Sequence, residues 1–231
     1  ATRTCYAFKY TPGLTSSFNK TDSIIKGDQN ILGSSTSSVV LGQANSIRNS
    51  TRNNIVTGDG NLVQNSIINS VTLGTRADVT TSNSLVIGGN QLSDNLGERQ
   101  FIRCIYGAQT TGTANVASGI NNESGVRFVI PDNSIIYFHA DTIAVRTAGA
   151  GAGSVGDYAS YVERGVIINK SGTCSIQRER DTIKTSGTVT NWRAAVGTGN
   201  TLSLQCRGNT NQTIEWCMNV NITEIRTGVA L

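Results

Sequence analysis

The sequence predicts an all-β chain in two parts: a parallel β-roll or solenoid of short repeats, then an antiparallel β-sandwich or jelly roll. Three observations carry this reading. A glycine-closed hexapeptide recurs five times in the first half. No Phe, Tyr or Trp occurs between Phe18 and Phe101. Beyond about residue 98 the aromatics return, and longer runs alternate apolar with polar residues.

Composition fits this reading. The chain has 231 residues, 37% hydrophobic and only 15% charged, with 25 glycines. A Ser-, Asn- and Gly-rich mixture resembles a linker. Here, however, the apolar residues are gathered into short β-branched runs, which supply the buried surface that disordered chains lack. The net charge of +4 is dispersed, and residues 178–181 (RERD) alternate in sign. No basic footprint for nucleic acid is present. No apolar stretch is long enough for a membrane helix, and no secretory signal is visible.

Taken in chain order, residues 1–20 form an N-terminal segment expected to attach to another protein of the same particle. Residues 21–97 form the repeat shaft. The repeats read 22–27 (DSIIKG), 37–42 (SSVVLG), 53–58 (NNIVTG), 69–74 (NSVTLG) and 83–88 (NSLVIG). Their closing glycines, Gly27, Gly42, Gly58, Gly74 and Gly88, are 15, 16, 16 and 14 residues apart. They are expected at sharp turns, where positive φ is nearly free only for glycine. A weaker strand follows each, near Ile31, Ile47, Leu62, Val79 and Leu92.

Side chains alternate across a strand, so each repeat has two faces. Ile24, Val39, Ile55, Val71 and Leu85 are expected to stack inside the coil. Ile25, Val40, Val56 and Val86, with Thr72 among them, are expected to face sister chains. Both faces are largely aliphatic, and so thin a coil has an inside for only one. A homotrimer, with copies of the chain covering the second face, is the expected solution.

The repeated N/S-S/N-V/I-x-L/I-G pattern resembles the head of trimeric autotransporter adhesins, over about residues 22–92. That resemblance implies a left-handed parallel β-roll in a three-chain assembly. The secretion signal, coiled-coil stalk and membrane anchor of that family are not seen here.

Residues 98–231 form the C-terminal domain. Strands are expected at 127–130, 135–146, 158–168, 174–184 and 187–195. In two further stretches Leu202, Leu204 and Cys206, then Ile214, Trp216, Met218, Val220 and Ile222, alternate with mostly polar neighbours. Segments 135–146 (IIYFHADTIAVR), the Gly-rich 149–156, 156–161 (GDYASY), 191–193 (NWR) and 213–225 (TIEWCMNVNITEI) resemble a C-terminal domain of tailed-bacteriophage tail fibres. That resemblance implies a non-enzymatic virion protein that trimerises.

Little in the chain suggests catalysis. His139 is the sole histidine and has no second histidine with which to build a metal site. Five cysteines lie at wide spacings and read as reduced thiols, a Cys206–Cys217 bridge being the one pairing considered. No cofactor is expected. Tyr158 and Tyr161, beside the Gly-rich loop, are the candidate receptor-binding residues, because sites gather on loops held by rigid scaffolds. The expected partners are the chain itself, a virion protein at the N-terminus, and a host surface glycan or protein.

The sequence reading is thus a trimeric phage tail fibre or spike subunit, made in the host cytoplasm and carried on the virion. A capsid fibre or decoration protein, a bacterial adhesin passenger and a polysaccharide depolymerase are the alternatives.

Overall fold

The computed structural model describes residues 17–18, 23–89, 96–123, 125–186, 193–197 and 200–227. Most of the attachment segment 1–20, with Cys5, Leu92 and Trp192, lies outside the described residues. The chain divides into two compact units, Ala1–Phe101 and Ile102–Leu231.

Among its described residues the first unit holds ten short strands: β1 (Ser17–Phe18), β2 (Ile24–Lys26), β3 (Ile31–Leu32), β4 (Val39–Gln43), β5 (Ser46–Ile47), β6 (Ile55–Asp59), β7 (Leu62–Val63), β8 (Val71–Gly74), β9 (Asp78–Val79) and β10 (Ser84–Gly88). Odd-numbered strands stack in the order β1-β3-β5-β7-β9 and even-numbered ones in the order β2-β4-β6-β8-β10, every pair parallel. A row of single bridges, Thr36 to Arg52 to Ile68, marks a third side. The result is a parallel solenoid of about four turns. Ile24, Val39, Ile55, Val71 and Leu85 occupy one register position in successive rungs.

The coil interior is narrow. Val40, Val56, Thr72 and Val86 enter it from one side, and Leu32, Ile47, Val63 and Val79 from the other. Beside them runs a polar column. Asn30, Asn45 and Asn61 are wholly buried, and Asn30 and Asn45 each accept a hydrogen bond from the side-chain amide of the next. The Asn45 amide donates to Asn30 Oδ1 at 3.0 Å and to the Gly58 carbonyl at 2.9 Å. Asn61 repeats this one rung on, toward Asn45 and Gly74. Each asparagine therefore satisfies backbone groups that the bends would otherwise strand in a dry interior.

Glycine closes each repeat for a reason beyond backbone freedom. Gly42 and Gly58 lie within strands β4 and β6, with φ of +119° and +123°. A Cβ on either would overlap the carbonyl oxygen of the glycine one rung on, Gly58 or Gly74. Gly88 lacks the positive φ, but a Cβ there would strike the backbone of Thr75 and Ala77. The expected sharp turns fall later, at Ala44, Gly60 and Arg76, where φ is +53°, +66° and +54°.

The second unit contains most of β11 (Arg99–Thr110), then β12 (Val116–Ala117), β13 (Gly119–Ile120), β14 (Ser134–Ala148), β15 (Tyr158–Lys170), β16 (Thr173–Thr185), β17 (Arg193–Gly197), β18 (Ser203–Arg207) and β19 (Thr213–Arg226). Strand β11 was not anticipated. The expected strand at 127–130 shrinks to a single bridge between Val129 and Thr201. A large sheet runs β16-β15-β14-β19-β11, with β13 paired to β11, and a small antiparallel sheet runs β12-β18-β17.

One face of the large sheet is dry. Ile136, Phe138, Ala140 and Ala144 from β14 meet Ile214, Trp216, Met218, Val220 and Ile222 from β19, all buried. The Tyr106 hydroxyl, also buried, donates to the Leu202 carbonyl at 3.1 Å and accepts from the Phe128 amide at 2.9 Å. Gly165 stands opposite Phe138 in register, where a Cβ would press on the ring at 2.9 Å. Edge strand β16 is exposed along most of its length and carries Arg178, Glu179, Arg180 and Asp181, charges that discourage edge-to-edge pairing.

Candidate functional site: the uncovered faces of the two units

The coil buries one side-chain row and leaves its neighbour in water, and the rows are the reverse of those expected from sequence. Val40 and Val56 are 0% exposed, and Val86 is likewise buried. Ile25, at the first rung, is half-buried. These four residues, expected to face sister chains, point into the coil. Ile24 and Ile55, expected inside, are 63% and 43% exposed. Val39, Val71 and Leu85 are half-buried on the same outward row.

The physical reason is that alternation defines two faces but does not say which is inside when both are aliphatic. A sequence signal was nevertheless present. Lys26, Gln43 and Asp59 share parity with Ile24, Val39 and Ile55, whereas Ser38, Asn54 and Ser70 share parity with Val40, Val56 and Thr72. A lysine cannot be left unpaired in a dry coil, but small hydrogen-bonded groups can. Ser70 Oγ donates to Asn54 Oδ1 at 2.7 Å, and both residues are buried.

The outward aliphatic face is therefore a double stripe. Ile24, Val39, Ile55, Val71 and Leu85 form one line, and the next carries the exposed Leu41, Leu73 and Ile87, with Lys26 and Thr57 standing either side of Leu41.

The second unit also has an outward sheet face. Its rows follow from register. Ile135 lies between Ile168 and Ile225, Tyr137 between Val166 and Thr223, and His139 between Arg164 and Asn221. Beyond β15, Gln177 follows Val166 and Glu179 follows Arg164. The polar members are linked. Arg164 Nη2 lies 3.3 Å from Glu179 and 3.5 Å from Asp181, and His139 Nε2 lies 3.0 Å from Asp141 Oδ1. Between the Tyr137 and Arg164 rows lies an open depression of ≈ 580 Å³, walled by Tyr137, Val166, Arg164, Gln177 and Glu179 and floored by Gly165 and Arg178.

The two expected receptor tyrosines separate. Tyr158 is 40% exposed on this outward face, opposite Val145. Tyr161 is 4% exposed on the inner face, with the Arg180 guanidinium 5.9 Å from its ring centre. Burial pushes its phenol up from the ordinary value. Parity alone separates them, since an odd spacing places two strand residues on opposite faces.

The loop between β14 and β15 is held rather than loose. Buried Arg146 donates to the carbonyls of Ala148, Gly149, Gly151 and Ala152, at 2.7–3.3 Å. Gln212 also donates to the Ala152 carbonyl, at 2.6 Å. Sequence reasoning missed this clasp, because an Arg at a strand end carries no local signature of its target.

The thiols divide by face. Cys206 is buried against the Met218 sulfur at 3.9 Å, Cys217 is exposed on the opposite face, and both are free, so the considered bridge does not form. Burial pushes the Cys104 and Cys206 thiols up to about 12. Among the described residues no cluster of His, Cys, Asp and Glu is arranged to hold a metal, and no helix is long and apolar enough to cross a membrane.

Compared with known protein families the chain matches none, and no curated protein matches it. Solved structures with some likeness include the tailspike protein gp49 of Acinetobacter baumannii bacteriophage Fri1, described as a capsular polysaccharide depolymerase. It is 10% identical with a TM-score of 0.29, over 86% of this chain and 44% of that one. The Acinetobacter baumannii phage AM24 tailspike is 8% identical with a TM-score of 0.32, over 86% and 50%. The Acinetobacter phage vB_ApiP_P1 tailspike is 9% identical with a TM-score of 0.22, over 86% and 47%. The chain thus spans half or less of the length of these proteins. At that level of likeness, none of their properties is carried to it.

Proposed function

We propose that this chain is a non-enzymatic structural and adhesive subunit of a trimeric bacteriophage fibre or spike that attaches the virion to the host surface. In this reading the coil is the shaft, and the two sheets of the second unit form the sandwich head.

The observation that carries the proposal is the double aliphatic stripe on the coil. Its interior is already filled by the chain's own residues, yet Ile24, Leu41, Ile55, Leu73 and Ile87 remain between a third and two-thirds exposed. Covering the exposed parts of these five would contribute about 3–6 kcal/mol per chain, at the usual value for burying such side chains. Three chains together reach the order of the entropic cost of association. The stripe repeats with the rung spacing of the coil, so a second copy of the coil offers a matching ladder to pack against. A slender fibre assembled this way reaches outward from a particle without needing a large core in any one chain.

Native mass measurement of the purified chain tests the reading. About three chains per particle is the expected result, and a stable monomer at micromolar concentration overturns it. Imaging labelled protein on virions separates a tail position from a capsid one. Release of reducing ends from host polysaccharide by the purified chain would overturn the non-enzymatic part.

A further inference from the structure

Bands of different chemistry cross the outward face of the β14–β15–β16 sheet. The row around Ile135 is apolar, the row around Tyr137 is mixed, and the next rows carry His139, Arg164, Glu179, Asp141 and Asp181. Farther along the strand Ile143 is 61% exposed, and Tyr158 closes the face. Tyr137 and Tyr158 stand eight positions apart along β14, since Tyr158 is opposite Val145. At the rise of an extended strand that is about 27 Å.

We propose that this face binds a neutral polysaccharide, with one sugar ring stacked on Tyr137 and its hydroxyls hydrogen-bonded to Arg164, Gln177 and Glu179. The proposal rests on the attachment reading and names the ligand class and the site.

Three properties of the face select that ligand. The Tyr137 ring, half-exposed near the start of β14, offers a flat apolar surface on a rigid scaffold, and the apolar face of a sugar ring fits such a surface. The depression beside it is lined by both donors and acceptors. A hydroxyl can donate to Glu179 and accept from Arg164 or the Gln177 amide, a double role that few other groups play. The guanidinium that walls the depression is already engaged, Arg164 with both Glu179 and Asp181. Around Arg164 the carboxylates outnumber the guanidinium, which disfavours an acidic ligand or a phosphate backbone at the depression.

The same charges decide against a second copy of the chain as occupant. Covering the polar rows with a dry protein surface would strip water from several ions at once, whereas a glycan brings its own hydroxyls. A peptide adding a strand is ruled out on this face, because β-addition uses a sheet edge.

A glycan array probed with the full chain tests this, with neutral and acidic bacterial surface polysaccharides printed side by side. Retention on neutral glycans is expected, changing less than about twofold between low and high salt. Tyr137→Ala should weaken retention about tenfold or more, and Tyr137→Phe should keep it within about twofold, because stacking survives loss of the hydroxyl. An unchanged thermal transition in both variants certifies the fold. Retention on acidic glycans alone, retention on none, or no effect of Tyr137→Ala overturns the proposal. A separate readout covers the reading beneath it. Binding to bacterial cells that survives periodate oxidation of their glycans overturns the polysaccharide while leaving attachment standing. Array binding without cell binding overturns attachment and leaves the site standing.

Discussion

The two units solve the same burial problem in opposite ways. The coil places each side chain beside copies of itself. Its described interior is Val, Ile, Leu and Thr in rows, with an asparagine column threaded alongside. The sheet unit uses large side chains once each: Tyr106, Phe128, Phe138 and Trp216 are all buried, each in its own setting. A row of like residues cannot say by shape which rung pairs with which. Register in the coil therefore depends on hydrogen bonds and close backbone approach, while register in the sheet unit depends on particular contacts such as Phe138 over Gly165. The largest lesions should accordingly differ in kind: backbone clashes and severed polar ladders in the coil, loss of single anchors in the sheet unit.

Gly58→Ala should be the most damaging single change. It adds a Cβ where φ is +123° and where the Gly74 carbonyl of the next rung leaves no room. Strain and overpacking together predict a loss of about 3–5 kcal/mol, read as a lower urea midpoint of the coil transition. A coil that tolerates this change within 1 kcal/mol, on the order of an ordinary surface substitution, would break the contrast. Asn45→Leu should come next, at about 2–4 kcal/mol, because it strands the Gly58 carbonyl and the Asn61 amide groups that Asn45 now serves. Arg146→Met is the sheet-unit counterpart. It removes four hydrogen bonds to a loop that water can partly reach, so about 1–3 kcal/mol is expected, with faster amide exchange at 149–153.

These predictions rest on features of unequal legibility. The repeat period and the alignment of Ile24, Val39, Ile55, Val71 and Leu85 were readable, because a glycine every fourteen to sixteen residues fixes the rungs. So was the alternation along β19, where Ile214 to Ile222 point inward as the pattern requires. Which coil face is inside does not follow from the aliphatic count, which is nearly equal on the two faces; only polar residues such as Lys26, in phase with Ile24, tell them apart. The asparagine column was invisible for another reason. Asn30, Asn45 and Asn61 lie between the conspicuous hexapeptides, and asparagine in a turn reads as a surface residue until its rung-to-rung partners are seen. Strand β11 escaped because it follows the composition shift directly and its buried row is chemically mixed: Gln100, Ile102, Cys104, Tyr106, Ala108 and Thr110. On the outward face, Tyr137 drew no notice in a run that read as core strand.

Alkaline pH distinguishes the units by a different route. A thiol is neutral when protonated, and burial raises the folded-state values of Cys104 and Cys206 from the ordinary 9.0 to about 12. Above pH 9 the unfolded chain sheds these protons while the folded unit retains them. Stability is therefore full below pH 9 and falls as pH rises toward 12, by up to about 1.4 kcal/mol per pH unit for each thiol. The described coil residues include no cysteine, so its transition should not share this dependence. Urea midpoints of the two transitions between pH 8 and 11 provide the check, and a sheet-unit midpoint flat over that range would remove the buried-thiol account.

The smallest effect on folding is expected at Ile55, and its size sharpens the comparison most. Ile55 stands in a strand but is 43% exposed, whereas its neighbour Val56 is 0% exposed. Ile55→Ser should change the stability of a dilute, unassociated chain by no more than about 0.5 kcal/mol, as at other solvent-facing positions. Val56→Ser should cost about 2–3 kcal/mol at any concentration, through lost burial and an added hydroxyl in a dry row. If sister chains cover the outward stripe, the order reverses for assembly. Ile55→Ser then lowers the trimer fraction in native mass measurements, while the coil's own transition, followed at low concentration, stays in place. On that outcome the two adjacent residues divide the coil's chemistry, one holding the chain to itself and the other holding it to its copies. A trimer fraction insensitive to Ile55 and to Ile24 together would show that the stripe is not the seam, and the reason for the coil's uncovered face would then have to be sought in a different partner.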